Sequence, residues 1–140
     1  MTRLDPARCV KAANIGDELW VVLEDYVYVT RSGLRLVVRA GFESDGASVP
    51  RCLWATIPPT GLHFNAAVVH DALYRSDEPD KLPKSQCDDI FLEIMQRDEV
   101  PQERSLAMVT AVRLLGYSSY HRGKLAAARS LAQEHGEAFA

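Results

Sequence analysis

The stretch AAVVHDALYR, residues 66–75, lies where the chain changes from β-type to α-type patterning. Its run of Ala, Val and Leu carries a His next to an Asp, with a Tyr four residues after the His. The consecutive prolines Pro58 and Pro59 disfavour helix before about Leu62. We therefore expect a first helix from Leu62 to about Arg75.

The sequence before this helix is typical of antiparallel β-structure. Residues 18–30 (ELWVVLEDYVYVT) are rich in β-branched and aromatic side chains. A short Gly-containing segment, RSG at 31–33, separates them from a second apolar run, LRLVVRA at 34–40. This arrangement predicts a hairpin. Residues 41–51 (GFESDGASVPR) are rich in turn formers and indicate a structured loop or sheet edge.

The sequence after the first helix predicts two or three more helices. A second helix runs from Lys84 to about Asp98, and its apolar face comprises Cys87, Ile90, Phe91 and Ile94. A third begins near Pro101 and ends at Gly116, with apolar positions that include Met108, Val109, Val112 and Leu115. Residues 124–134 are Ala-rich and predict a fourth. The fold class is α+β, with a small antiparallel sheet followed by three or four helices in one domain, residues 1–140.

Composition excludes several classes of protein. The chain has 140 residues, 47% hydrophobic and 25% charged, which excludes wholesale disorder. Its net charge of −3 argues against general nucleic-acid binding. No apolar run approaches the roughly 18 residues of a membrane span, and no signal peptide is visible. Three widely spaced cysteines fit reduced thiols better than a disulfide framework.

His70 is the strongest candidate for a catalytic group, because histidine is the side chain most easily poised as a base near pH 7. Tyr74 lies one helical turn after it, so the two rings are expected to be adjacent. A base of this kind needs an orienting carboxylate, and Asp71 points to a different face. If the second helix packs antiparallel on the first, Asp88 at the edge of its apolar face can approach His70. Asp89 faces water.

Asp71 would then be free to bind a cation or an arginine. Asp45, in the turn pair Asp45-Gly46, could add a carboxylate, and Ca²⁺ or Mg²⁺ prefers such oxygen ligands. Ser48 is a weak candidate nucleophile, since the sequence around it lacks the nucleophile-elbow motif. Arg51 could pair with an anion or with Asp71.

Each of these residues also has a purely structural interpretation. A His-Asp pair on a half-apolar helix is commonly part of a satisfied core. A carboxylate near the start of a helix is favoured there by the helix dipole. His63, two turns before His70, could be a second ligand, but a lone spacing of seven residues is weak evidence for that. The cysteines lack metal-ligand spacing.

Three motifs in this order resemble a family of unknown function found in tailed phages and prophages. They are F-x-S-D-G-A-S-V-P-R at 42–51, H-D-A-L-Y-R at 70–75 and C-D-D-I-F at 87–91. The resemblance covers about residues 40–116. It implies a phage or prophage origin, location in the cytoplasm of the bacterial host or in the virion, and phage structural proteins as partners. The matching positions are Asp45, Ser48, Pro50, Arg51, His70, Asp71, Tyr74, Arg75, Asp88 and Phe91.

A second resemblance concerns mechanism. His-Asp-x-x-Tyr on one helix with an Asp on the next is similar to the site of phospholipases A2. The resemblance implies that His70 is the base, that Asp71 binds Ca²⁺, and that Tyr74 and Asp88 orient the His. The disulfides and the Gly-rich calcium loop of the secreted enzymes are missing, so Asp45-Gly46 would replace the loop. HD phosphohydrolases also have His-Asp in an apolar helix, but they need further His and Asp ligands on several helices, and the β-rich region before Leu62 does not supply the expected helical His.

Two hypotheses of different classes follow. The first is a phage-encoded hydrolase that uses a His70/Asp88 dyad with a divalent cation on Asp71 and Asp45, acting on an ester such as a phospholipid. The second is a non-catalytic virion component, such as a tail or baseplate accessory protein, in which the same residues form a buried polar network.

Overall fold

The computed structural model describes residues 9–16, 19–44, 62–76, 81–116 and Tyr120. The elements in chain order are β1 (Ala12–Gly16), β2 (Leu19–Val22), β3 (Tyr26–Val29), β4 (Arg35–Val38), β5 (Glu43–Ser44), α1 (Phe64–Arg75), α2 (Lys84–Arg97) and α3 (Gln102–Leu115). The α+β fold class is confirmed, with antiparallel strands first and three helices after them. The predicted fourth helix, residues 124–134, lies outside the described residues.

The strands form two small sheets instead of the single sheet expected. One has the order β1-β2-β5, and the other pairs β3 with β4. Trp20 pairs with Ser44 and Tyr26 pairs with Val38. In both pairs the two residues are equally far from Ser32 in the sequence. The strands β2 to β5 are therefore one long hairpin. Its strand pairing is interrupted once, and the register is the same on both sides of the interruption.

The hairpin is interrupted at residues 23–25, where a side chain replaces a strand partner. Asp25 Oδ1 accepts a hydrogen bond from the backbone N–H of Ala40 at 2.8 Å. Gly41 has φ +91°, a left-handed conformation that glycine adopts without steric cost. Residues 19–30 consequently contain two strands, β2 and β3, although the composition of this stretch resembles that of a single strand.

The tip of the hairpin agrees with the sequence prediction, whereas the first strand has no clear sequence signal. The backbone N–H of Thr30 donates to the carbonyl of Leu34 at 2.9 Å, and Gly33 between them has φ +90°. β1 has the sequence AANIG, in which only Ile15 is a strong strand former, and Ile15 is exposed. β1 is therefore stabilised mainly by its backbone pairing with β2.

The hairpin packs on the C-terminal half of α2 through one face of β3. Tyr26 and Tyr28 are buried, while the residues that alternate with them are exposed. The Tyr28 hydroxyl donates to Glu93, and Arg97 Nη2 donates to the Tyr26 hydroxyl at 2.9 Å. These contacts leave the N-terminal half of α2 available to α1 and α3.

The helices pack in chain order, α1 on α2 and α2 on α3. The predicted apolar face of α2 is buried, and the fully buried side chains of the three helices include Val68, Val69, Phe91, Ile94, Met95, Met108 and Val109. Leu115, one of the predicted apolar positions of α3, is the last residue of that helix and is exposed. Within the described ranges, no helix is both long and apolar enough to cross a membrane.

α3 ends at Gly116 as the sequence predicts, but for a different physical reason. The backbone of Gly116 has φ −81°, so no left-handed conformation requires glycine here. A Cβ at this position would lie 2.6 Å from the carbonyl oxygen of Val112 and 3.0 Å from Cε2 of Tyr74. Gly116 is therefore needed because the Tyr74 ring and the last turn of α3 approach its backbone closely.

Candidate functional site

α1 presents two rings of the candidate site to α2. The centroids of His70 and Tyr74, one helical turn apart, are separated by 4.0 Å. The imidazole of His70 also stacks on Phe91 of α2, at 4.6 Å between centroids. Its side chain is 1% exposed. The orientation of the imidazole is therefore fixed by aromatic packing on two sides.

Asp88 of α2 receives hydrogen bonds on both carboxylate oxygens. Its Oδ1 lies 2.8 Å from His70 Nε2 and accepts from the Tyr74 hydroxyl at 2.5 Å. Its Oδ2 accepts from Lys84 Nζ at 2.8 Å. The contact between His70 and Asp88 expected from the helical wheel is thus present. Asp89 is exposed and pairs with Arg113 of α3 at 3.0 Å, away from this cluster.

The electrostatics of the cluster favour an ionised carboxylate and a neutral imidazole. Burial alone would raise the pKa of Asp88, but hydrogen bonds from His70, Lys84 and Tyr74 together hold that pKa below its ordinary value. Burial lowers the pKa of His70, against the raising effect of Asp88. Burial, reinforced by Asp88, raises the pKa of Tyr74.

These protonation states define the chemistry that the pair can perform. An ionised Asp88 can only accept, so the network assigns the imidazole proton to Nε2. The lone pair of the neutral imidazole is then on Nδ1. A histidine held in one tautomer by a carboxylate can act as a general base through its other nitrogen.

Asp71 lies in a second polar cluster, on the neighbouring side of α1. Its Oδ1 pairs with Arg75 Nε at 3.0 Å, and its Oδ2 accepts from the Ser44 hydroxyl at 2.9 Å. Arg75 also donates to the carbonyl of Glu43 at 2.9 Å. Asp71 was expected to bind a cation or an arginine, and in this structure it pairs with Arg75. The cation remains a prediction. This cluster ties α1 to β5.

The predicted cation site is only partly described. No group of three or more His, Cys, Asp or Glu side chains that could hold a metal ion occurs among the described residues. Asp45, Ser48 and Arg51 lie outside them. His63, the other histidine considered as a ligand, is fully buried immediately before α1.

Two residues of these clusters were missed by sequence reasoning. Lys84 lies four residues before Asp88, a spacing that places both on one face of α2 and could have been recognised. Ser44 occurs within the F-x-S-D-G-A-S-V-P-R motif, but its contact with Asp71 depends on the register of the hairpin. No periodicity in the sequence predicts it.

Comparison with known proteins places the chain in a family. The family model described as "Protein of unknown function (DUF1353)" matches residues 20–112. The chain belongs to the DUF1353 family. The match extends from β2 into α3 and includes both polar clusters, which confirms the expected membership in a family of unknown function. No curated protein and no solved structure matches the chain.

Proposed function

We propose that this DUF1353 member is a phage- or prophage-encoded ester hydrolase in which His70 is the general base. The observation that carries the proposal is the hydrogen bond from His70 Nε2 to Asp88, whose Oδ1 also accepts from Tyr74. The phage origin rests on the resemblance of the three sequence motifs, and it implies location in the host cytoplasm or in the virion.

The proposed reaction uses the Nδ1 lone pair of His70. Nδ1 takes a proton from water while the water oxygen forms a bond to the ester carbonyl carbon. The resulting tetrahedral intermediate collapses by breaking the bond to the alcohol oxygen, and Nδ1–H returns the proton to that oxygen. The products are a carboxylic acid and an alcohol, and Asp88 keeps its charge throughout. Phospholipids are the proposed substrate class, by similarity to the phospholipase A2 site.

A divalent cation, Ca²⁺ or Mg²⁺, on Asp71 and Asp45 is a separate element of the proposal. The described part of the chain contributes one carboxylate to such a site, and Arg75 already neutralises it. An arginine and a cation compete for the same carboxylate oxygens, so the described residues do not by themselves fit a cation. No chemical step is therefore assigned to a cation.

The test is hydrolysis of short-chain nitrophenyl esters and of phospholipid vesicles, with Ca²⁺, with Mg²⁺ and with a chelator. We expect His70→Ala to abolish hydrolysis, since a general base contributes about 10²- to 10⁴-fold. Asp89→Asn, which alters an exposed carboxylate on the same helix, serves as the matched control and should keep full activity. Circular dichroism establishes that the variants fold. Unchanged hydrolysis in His70→Ala, or no hydrolysis of any ester, would refute the catalytic role.

A second candidate function is a non-catalytic virion component, such as a tail or baseplate accessory protein. The observation that favours it is burial: His70 and Asp88 are each 1% exposed, and Asp88 uses both oxygens internally. A satisfied network of this kind can specify a fold without chemistry. This function requires the protein to be present in fixed stoichiometry in purified particles, together with phage structural proteins, and its absence from them would exclude the role.

A further inference from the structure

The ammonium group of Lys84 joins Asp88 to the end of α3. Lys84 Nζ donates to Asp88 Oδ2 at 2.8 Å and to the carbonyl oxygens of Val112 at 3.0 Å and Arg113 at 3.2 Å. An ammonium has three N–H donors, and these three acceptors match them in number. The Lys84 side chain is only 15% exposed, so these contacts are largely shielded from water.

The Asp88 carboxylate and the C-terminal end of α3 explain why a lysine is stable at this position, although the positive end of the α2 dipole disfavours a cation there. Lys84 is the first residue of α2, and Asp88 follows it by one turn on the same face. The carbonyls of Val112 and Arg113 belong to the last turn of α3, where the helix dipole is negative. The Val112 carbonyl already accepts from the backbone N–H of Gly116 at 2.9 Å, so Lys84 is its second donor. The charge of Lys84 is therefore compensated by Asp88 on one side and by the two carbonyls of α3 on the other.

The two carboxylate oxygens of Asp88 therefore have different hydrogen-bond partners. Oδ2 is held by Lys84, while Oδ1 is shared between His70 and Tyr74. A carboxylate held only through Oδ1 could rotate about its Cβ–Cγ bond and lose the alignment with the imidazole. Fixing Oδ2 fixes the plane of the carboxylate, and with it the direction in which Oδ1 faces His70.

The other cations close to this junction have different partners. Lys81 Nζ donates to the backbone carbonyls of Tyr74 and Tyr120. The guanidinium of Arg113 pairs with Asp89 on the surface. In the described part of the chain, Lys84 is thus the ammonium that contacts Asp88.

We propose that Lys84 is a positioning residue of the hydrolase: it fixes Asp88, holds His70 as the Nε2–H tautomer, and makes the end of α3 part of the site. Its effect on catalysis rests on the proposed function. Its effect on the tautomer does not, so the two can fail separately.

The test compares Lys84→Met, which keeps the stem and removes the charge, with Lys84→Arg, which keeps the charge. Asp89→Asn is the matched control, because it removes an ion pair between the same two helices without touching Asp88. The readouts are the Nε2–H proton of His70, detected by ¹⁵N-edited NMR above pH 7, and kcat and KM for an ester that the protein hydrolyses.

We expect a sharp Nε2–H signal in the unmodified protein and in Asp89→Asn, and a lost or strongly broadened signal in Lys84→Met. We also expect kcat to fall roughly tenfold or more in Lys84→Met with little change in KM, which is the size of loss found when the hydrogen-bond partner that orients a metal-bound side chain is removed. Lys84→Arg should restore both. A purely structural role would lower stability without changing the tautomer.

An unchanged signal in folded Lys84→Met would overturn the proposal. If that variant does not fold, Lys84→Gln replaces it, since the amide can still donate to a carbonyl of α3, and the same criteria apply. A changed signal in a protein that hydrolyses no ester would support the positioning role and refute the hydrolase.

Discussion

Replacing Asp88 with Asn should destabilise the protein mainly through Lys84. The amide oxygen of Asn can still accept from His70 and Tyr74, but its NH₂ group would replace Oδ2 and place a donor against the ammonium 2.8 Å away. A hydrogen bond between charged groups contributes about 1.5–3 kcal/mol. Breaking a fully buried pair costs about 3–5 kcal/mol. Because Lys84 keeps two carbonyl acceptors, we expect a loss of about 2–3 kcal/mol at pH 7.

The assay is urea unfolding of four proteins, namely the unmodified chain, Asp88→Asn, Lys84→Met and the double variant. The double-mutant cycle isolates the coupling between the two side chains, which we expect to be about 1.5–3 kcal/mol at pH 7. The folded-state pKa of Asp88 is depressed, so the unfolded state binds more protons in acid. The coupling is thus fully present above the ordinary Asp pKa of about 3.9. It is lost as the pH falls through the lower, folded-state value.

Asp89→Asn is the control for this cycle, because it changes an exposed carboxylate one residue away and should cost less than about 0.5 kcal/mol. A coupling below about 0.5 kcal/mol at pH 7 would show that Lys84 and Asp88 do not interact appreciably. A coupling that stays unchanged as the pH is lowered through the folded-state pKa of Asp88 would show that it does not depend on the carboxylate charge.

Two further predictions concern the surroundings of Tyr74. Gly116→Ala should lower stability by about 1–3 kcal/mol, measured by urea unfolding, because its Cβ would overlap a carbonyl oxygen and the Tyr74 ring; no loss would mean that the ring and the helix end move apart freely. Burial, with Asp88 adding to it, raises the pKa of the Cys87 thiol to about 12, so iodoacetamide should alkylate it far more slowly in the folded protein than in urea at pH 8. Equal rates, in a variant whose other two cysteines are serine, would show that the thiol is accessible.

Helical periodicity explains which parts of the site could be predicted from the sequence. It fixes the angles between neighbouring side chains around the helix axis. These angles alone predict that Tyr74 lies beside His70 and that Asp88 and Asp89 lie on different faces of α2. The buried face of α2 follows from the same rule. The proposed roles of these residues in catalysis remain predictions.

Contacts that depend on packing between elements could not be predicted in this way. Lys84 reaches carbonyls of α3 only because α3 ends beside the start of α2. No local sequence pattern specifies how close these two helix ends lie. The pairing of Asp71 with Arg75 follows from a spacing of four residues, but its contact with Ser44 requires the hairpin. β1 depends in the same way on a partner strand.

The common centre of the hairpin at Ser32 limits how its length can change. An insertion of one residue between Ser32 and Glu43 would shift the register of β5 and put exposed Glu43 in the buried position of Ser44 on the inner face. Asp71 would then meet a second carboxylate in place of a hydroxyl donor. Two compensating insertions, one on each arm of the hairpin, would leave the contact between Ser44 and Asp71 unchanged. Length variation in this hairpin should therefore be tolerated in matched pairs, although the turn and Asp71 lie far apart in the chain.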